Sequence, residues 1–242
     1  VSIRRSRAVL SIFALGAFAV LIGLGLWQLE RRTWKNDLIR RFEHALQKPP
    51  VAFDAAHSAA SSGVGEFTRV EATGTFLNDR TIKVLTPTPQ DLRAKTPEGF
   101  GYLLFVPLRV EDGLVFVNRG FVPETLAGSA SVQAQGEVTV VGILRSPEQP
   151  GWFTPPPNEA ERVFYAADIP GMAAAVGIAG SQTLTTLYIQ AESAQSQGPW
   201  PKPRDPQDLL SGIPNRHLEY ALTWFGLAAT LAVVYGFAIY RS

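Results

Sequence analysis

The sequence contains no cysteine. That excludes disulfides, thiolate-ligated zinc, iron–sulfur clusters and covalent CxxCH haem attachment. Sulfur is nearly absent altogether. Met172 is the single methionine, and soft copper sites favour thiolate and thioether ligands, so a copper-carrier reading is weak. Histidine is scarce as well: His44, His57 and His217 are the only three, and neither His44 nor His57 has a partner at ligand spacing. Neither sign of charge dominates, with 22 Lys and Arg against 21 Asp and Glu, so no basic field points to nucleic acid. The GxSxG, HExxH and P-loop patterns are missing, the acids are scattered, and no nucleophile–base pair can be assembled. An enzyme, such as a hydrolase of the outer membrane face, would therefore lack its catalytic group.

What the chain does have is two long apolar runs. Ala8 to Trp27 reads "AVLSIFALGAFAVLIGLGLW", with Ser11 its one clearly polar side chain. Leu218 to Tyr240 is the second, where Thr223 and Thr230 can bond their own helix backbone. Each approaches the ~20 residues that a helix needs to cross roughly 30 Å of hydrocarbon. Trp27, Trp224 and Tyr240 stand near the ends of these spans, as interfacial aromatics do. The first run is too long for a signal peptide, and "GLGLWQLE" offers no A-x-A-like cleavage site, so an uncleaved anchor is expected. Small residues at four-residue spacing, Ala19/Gly23 and Ala228/Ala232/Gly236, would let helices approach closely in lipid.

Two crossings put both ends on one side. Arg4, Arg5 and Arg7 precede the first span without an intervening acid. Arg31, Arg32 and Lys35 follow it but are diluted by Glu30 and Asp37. The positive-inside rule then gives residues 1–7 cytoplasmic, 8–29 and 217–240 membrane-spanning, 30–216 extracytoplasmic and 241–242 cytoplasmic.

The middle is a different kind of sequence. "ERRTWKNDLIRRFEHALQ" (30–47) continues as a charged helix, with Trp34, Leu38, Phe42 and Ala45 or Leu46 on one apolar stripe, stopped by Pro49-Pro50. Runs rich in β-branched and aromatic residues follow, separated by Gly and Pro. They are "EFTRVEATGTF", "RTIKVLTP", "YLLFVPLRV", "LVFVNRGFV", "EVTVVGILR" and "TLYIQAE", with "EDG" (111–113) as a hairpin turn. A short helix is expected over 168–176 ("DIPGMAAAV"), and "SPEQPGWFTPPPNEAER" and "GPWPKPRDPQD" are expected as loops. The fold class is membrane α+β: two transmembrane helices flanking an extracytoplasmic antiparallel β-sheet or small β-barrel.

The unusual residues gather where the spans meet water. Gln28, Glu30, Arg31 and Arg32 follow the first; Asn215, Arg216, His217, Glu219 and Tyr220 open the second. Both ends should lie at one membrane depth. His217, Tyr220 and Trp224, at i, i+3 and i+7, share a helix face. An imidazole among aromatics is a fit for an axial haem ligand, and Arg216 could pair with a haem propionate. The plainer reading, which spacing alone favours, is an interfacial histidine bonded to Glu219 or to a backbone carbonyl. Trp27 and Gln28 are expected to set interfacial depth rather than to touch haem. In "VNRGF", Asn118 and Gly120 are expected to make a structural turn, with Arg119 the better candidate for a partner contact.

Five blocks carry a family resemblance: "GLWQLERRTWKNDLI" (25–39), "VEATGTF" (70–76), "VFVNRGFVP" (115–123), "PPNEAERVFYAAD" (156–168) and "PNRHLEYALTWFGLA" (214–228). In order and spacing they resemble the Surfeit locus protein family, cytochrome c oxidase assembly factors whose yeast member is called Shy-one. The likeness covers nearly the whole chain. It implies a bacterial inner (plasma) membrane protein with its large domain on the periplasmic side. The implied role is in maturing haem-copper oxidases, by helping haem a reach the catalytic subunit. That subunit is the implied partner, with haem a synthase as a further one. The resemblance also implies haem a ligation by a histidine opening the second span, which is His217 here; Tyr220, Trp224 and Arg216 are the candidate cofactor contacts that the residues themselves place beside it. Arg216 stands where the family pattern has a second Asn, and Phe121 where it often has Trp. The alternative is a membrane scaffold that contacts oxidase subunits and binds no cofactor.

Overall fold

A computed structural model of the chain describes residues 2–53, 65–93, 96, 99–128, 136–180, 182–192, 200–203 and 216–241. Among the described residues there are three α-helices, α1 (Ser2–Gln47), α2 (Ile169–Ala175) and α3 (His217–Tyr240). The chain divides into two compact units, Val1–Phe42 with Leu210–Ser242, and Glu43–Leu209.

The first unit is a pair of helices. Both α1 and α3 carry a segment long and apolar enough to cross a membrane, Ser11–His44 and His217–Tyr240. At 1.5 Å per residue, a helix the length of α3 reaches about 36 Å. Their outward faces are apolar: Ile12, Phe13 and Leu15 on α1, and Leu222, Val233 and Phe237 on α3, are all exposed. In water that would be a liability; in hydrocarbon it is what the solvent requires. The less exposed residues of α3 are His217, Ala221, Trp224, Phe225, Ala228, Leu231 and Tyr235; apart from Phe225, which flanks the stripe, their spacings alternate between four and three. That is the period of a supercoiled seam. On α1, Ser11, Ala14, Leu21, Gly25 and Gln28 fit the same period.

Three contacts show that the two seams meet antiparallel. The Tyr235 hydroxyl donates to Ser11 Oγ, Gly25 faces the Phe225 ring, and Gln28 meets His217. A Cβ on residue 25 would come within 2.4 Å of that ring, so glycine lets the ring lie against the α1 backbone. Gly23 and Gly236 have open space around them, and Ala19 and Ala232 are exposed. Of the small residues singled out in the sequence, Ala228 is the one on the seam. Thr223 and Thr230 donate to the carbonyls of Glu219 and Gly226, as expected of hydroxyls in lipid.

The second unit is a β-barrel. Its strands among the described residues are β1 (Val51–Ala52), β2 (Arg69–Phe76), β3 (Ile82–Pro87), β4 (Phe100–Val110), β5 (Gly113–Pro123), β6 (Glu137–Arg145), β7 (Val163–Phe164) and β8 (Thr183–Ala191). The order β2-β6-β8-β5-β4 closes on itself because β2 also pairs with β4. β2 and β3 act as one bent strand, broken by a 3-10 turn at Asn78–Arg80. Its first half pairs with β6 and its second with β4. This is the connectivity of the five-stranded Greek-key barrels of the OB class. The antiparallel expectation holds around the ring except for one pair: β5 and β8 run parallel. A parallel neighbour needs a crossover, and the chain between Glu124 and Gln182 supplies it.

Alternation in β2 puts Val70, Ala72 and Phe76 inside and Glu71, Thr73 and Thr75 outside. They join Val106, Leu108, Val115, Val117, Val140, Leu144 and Ile189 in the barrel core. β4 and β5 are buried on both faces, because Phe105 and Phe116 point outward under α2, against Ile169, Met172 and Tyr188. The outer face of these two strands, which binds ligands in many OB barrels, is thereby covered. Met172 is fully buried in that packing. α2 begins where expected, with the Asp168 carboxylate accepting from Gly171 N at 3.1 Å. It ends at Gly177, φ +69°.

Candidate functional site

His217 is the first residue of α3 and is half-buried. Its Nδ1 lies 2.8 Å from Gln28 Oε1. An amide oxygen can only accept, so Nδ1 carries a proton, and in the neutral ring Nε2 is then the nitrogen with the lone pair. The expected bond to Glu219 or to a backbone carbonyl is replaced by this one across the seam. Glu219 stays exposed in the first turn of α3, where its charge suits the helix dipole. Gln28, expected to set interfacial depth rather than touch haem, also bonds the histidine across the seam. Sequence reasoning placed both helix ends at one depth, and that was the available signal. It could not give the rotation of α1 about its axis.

The other predicted residues are distributed around the histidine. Trp224, two turns on, is half-buried on the seam. Tyr220 stands on the flank of the same face and is 55% exposed. Arg216 is the N-cap residue and is exposed, with no capping hydrogen bond from its side chain. On α1 the Arg31 guanidinium stacks over the Trp34 ring at 4.1 Å, so this arginine already has an aromatic partner. Asn215 and His57 lie outside the described residues, and His44 is exposed near the end of α1. A neutral imidazole with one nitrogen tied and the other free is a competent ligand for a borderline metal such as haem iron.

The "VNRGF" residues occupy a different environment. They form a β-bulge inside β5, where the pairing with β4 shifts between Phe105 and Leu103. Gly120 takes φ +116°, and a Cβ there would meet Lys202 O at 2.2 Å. Asn118 Oδ1 accepts from Gly120 N at 3.0 Å, and its Nδ2 donates to Gln190 Oε1 at 2.9 Å. The structural role expected for Asn118 and Gly120 is thus filled, by a bulge rather than a reversing turn. Arg119 departs from its expected role as a partner contact. It is 1% exposed, its guanidinium lies 4.5 Å over the Phe76 ring, and its three nitrogens have no hydrogen-bond acceptor among the described residues. Burial pulls its pKa down to about 10. The Arg69 guanidinium shows the contrast: it grips Glu192 through two 2.8 Å bonds, and this pairing raises its pKa.

The SURF1 family model matches residues 15–229. The chain belongs to the SURF1 family. A SURF1-like protein of Monosiga brevicollis is 33% identical over 229 residues, covering 88% of this chain and 82% of its own. Surfeit locus protein 1 of Homo sapiens is 28% identical, covering 88% and 72%. A SURF1-like protein of Rickettsia conorii is 28% identical, covering 93% and 88%. The SURF1 match runs from inside α1, through the β-barrel, to the middle of α3, so Gln28 and His217 both fall within it. With its two membrane-length helices, this SURF1 member is a membrane protein.

Proposed function

We propose that this protein is an assembly factor for haem-copper cytochrome c oxidase. In this reading it carries haem a at the helix junction and hands it to the catalytic subunit. The observation that carries this reading is the Gln28–His217 hydrogen bond. Family membership supports the oxidase context; the donor set supports the cargo. The sidedness we propose has both helix ends that bear Gln28 and His217 on the periplasmic face of the inner membrane, with the β-barrel there too.

Haem a, if bound, would supply an iron able to accept a nitrogen ligand. His217 would hold it through the lone pair of Nε2 in the neutral ring. Gln28 fixes the tautomer by holding the proton at Nδ1, and its hold on the ring orients the lone pair. Trp224 and Tyr220 present flat apolar surface to a flat apolar macrocycle. Arg216, exposed at the start of α3, is free to meet a propionate in water. A single replaceable bond from His217 would suit a carrier, because the receiving subunit would only have to offer tighter ligation. Haem a synthase is the partner proposed upstream.

The test is the visible spectrum of the protein purified from cells that make haem a. A Soret band that disappears in His217→Ala supports the carrier. A colourless protein that still co-purifies with oxidase subunits supports the scaffold reading instead. Unchanged oxidase content together with unchanged haem a per oxidase in a deletion strain refutes both.

A further inference from the structure

Two aromatic side chains of the β unit have no part in its core or in the junction site. Trp152 and Phe153 are each 97% exposed. They sit on a defined turn: Gly151 N donates to Thr154 Oγ1 at 2.8 Å, and Thr154 N donates to Gly151 O at 3.0 Å. Pro150 on one side and Pro155, Pro156 and Pro157 on the other fix φ along the flanks. The two rings are thus adjacent on an ordered turn, and both are exposed among the described residues. From Gln149 through Asn158 the chain carries no charge. The nearest acid, Glu148, is engaged elsewhere, accepting from Ala167 N at 3.2 Å.

A single exposed aromatic needs no explanation, but an adjacent pair held out by an ordered turn marks an interaction site. The chemistry selects the partner. Indole, apolar with one N–H donor, is the side chain that settles at headgroup level in bilayers. An uncharged tip crosses the headgroup layer without stripping water from an ion. The unit that bears it is joined through the chain at both ends to helices of membrane-crossing length. Insertion into that bilayer is therefore an intramolecular event.

We propose that the Trp152–Phe153 turn is a membrane-interface anchor that inserts both rings among the lipid headgroups of the bilayer its own helices span. It restrains the β-barrel against that surface as a third point of attachment, and it operates whether or not haem is carried.

Because the chain has no cysteine, Phe153→Cys provides a single thiol for an environment-sensitive fluorophore. The full chain is labelled and reconstituted in phosphatidylcholine–phosphatidylglycerol nanodiscs with no other protein. The expected result is a blue-shifted emission, most of it lost when spin-labelled lipid is included, and little affected by aqueous iodide. Emission quenched by iodide and indifferent to spin-labelled lipid overturns the proposal. So does a blue shift that spin-labelled lipid leaves intact, which means burial against protein. So does a water-exposed label that becomes shielded only on adding oxidase subunits, which assigns the turn to a protein partner. Circular dichroism of the labelled protein checks that the barrel is intact.

Discussion

Gln28 Oε1 and His217 Nδ1, 189 residues apart in the sequence, lie 2.8 Å from each other across the helix seam. The imidazole is therefore held in one tautomer by a side chain from the other span.

Gln28→Leu removes the acceptor and leaves both tautomers accessible. Partners of this kind are worth about 10–100-fold in ligand affinity. Titration of the purified protein with haem should show a weakening of that order, whereas Gln28→Glu, still an acceptor, should retain binding. Equal affinity in the wild type and the leucine variant would remove the orienting role.

The seam itself rests on Gly25. A leucine there has to occupy the space of the Phe225 ring. With thiols placed at Ser11 and Tyr235, whose side chains touch in the native pair, a short bis-maleimide should join the helices efficiently. In a Gly25→Leu background the yield should fall severalfold. An unchanged yield would mean that the close approach of the Phe225 ring to α1 is dispensable.

Arg119 costs the barrel stability. Its charge is buried over Phe76 with no acceptor among the described residues, and apolar replacement of buried charge is often stabilising by about 1–4 kcal/mol. Arg119→Met should raise the unfolding midpoint, while Arg119→Lys, with a more strongly hydrated head, should lower it. The folded-state pKa is pulled below the ordinary 12.5 to about 10. The penalty is therefore complete below pH 10 and is relieved as pH rises from 10 towards 12.5. The advantage of the methionine variant should shrink over that window. A methionine variant less stable than wild type at neutral pH would contradict this account.

Tyr188 works in the opposite direction. Burial beside Phe105, whose ring centroid is 5.2 Å away, pushes its phenol up from 10.0 to about 12. The unfolded chain loses this proton first, so stability falls as pH rises from 10 to 12. Tyr188→Phe should abolish this loss, and a phenolate that appears at about pH 12 in the ultraviolet titration of the wild type should be missing. This window overlaps that of Arg119, with opposite sign, so each variant is best measured in the background of the other.

The six long strands, the short helix and the two spans were legible because each has a local cause. Runs of β-branched and aromatic residues between Gly and Pro mark the six long strands, Asp168 and Gly177 bracket α2, and unbroken apolar runs mark α1 and α3. The two-residue strands β1 and β7 left no pattern, because a strand that short has no period. Barrel closure was equally invisible: the β2–β4 pairing and the parallel β5–β8 pair depend on partners far away in sequence.

The sequence by itself determined that the chain has two membrane-length helices around a β-rich segment, and that one histidine opens the second helix. Local backbone preference and hydrophobicity suffice for that. Tertiary structure alone decided that Gln28 holds His217, that Gly25 rather than Gly23 lies at the helix contact, and that Arg119 is turned into the barrel instead of towards a partner. Each of these depends on how an element is rotated about its axis or bulged from its sheet. That is set by packing against a remote surface, which no local pattern encodes.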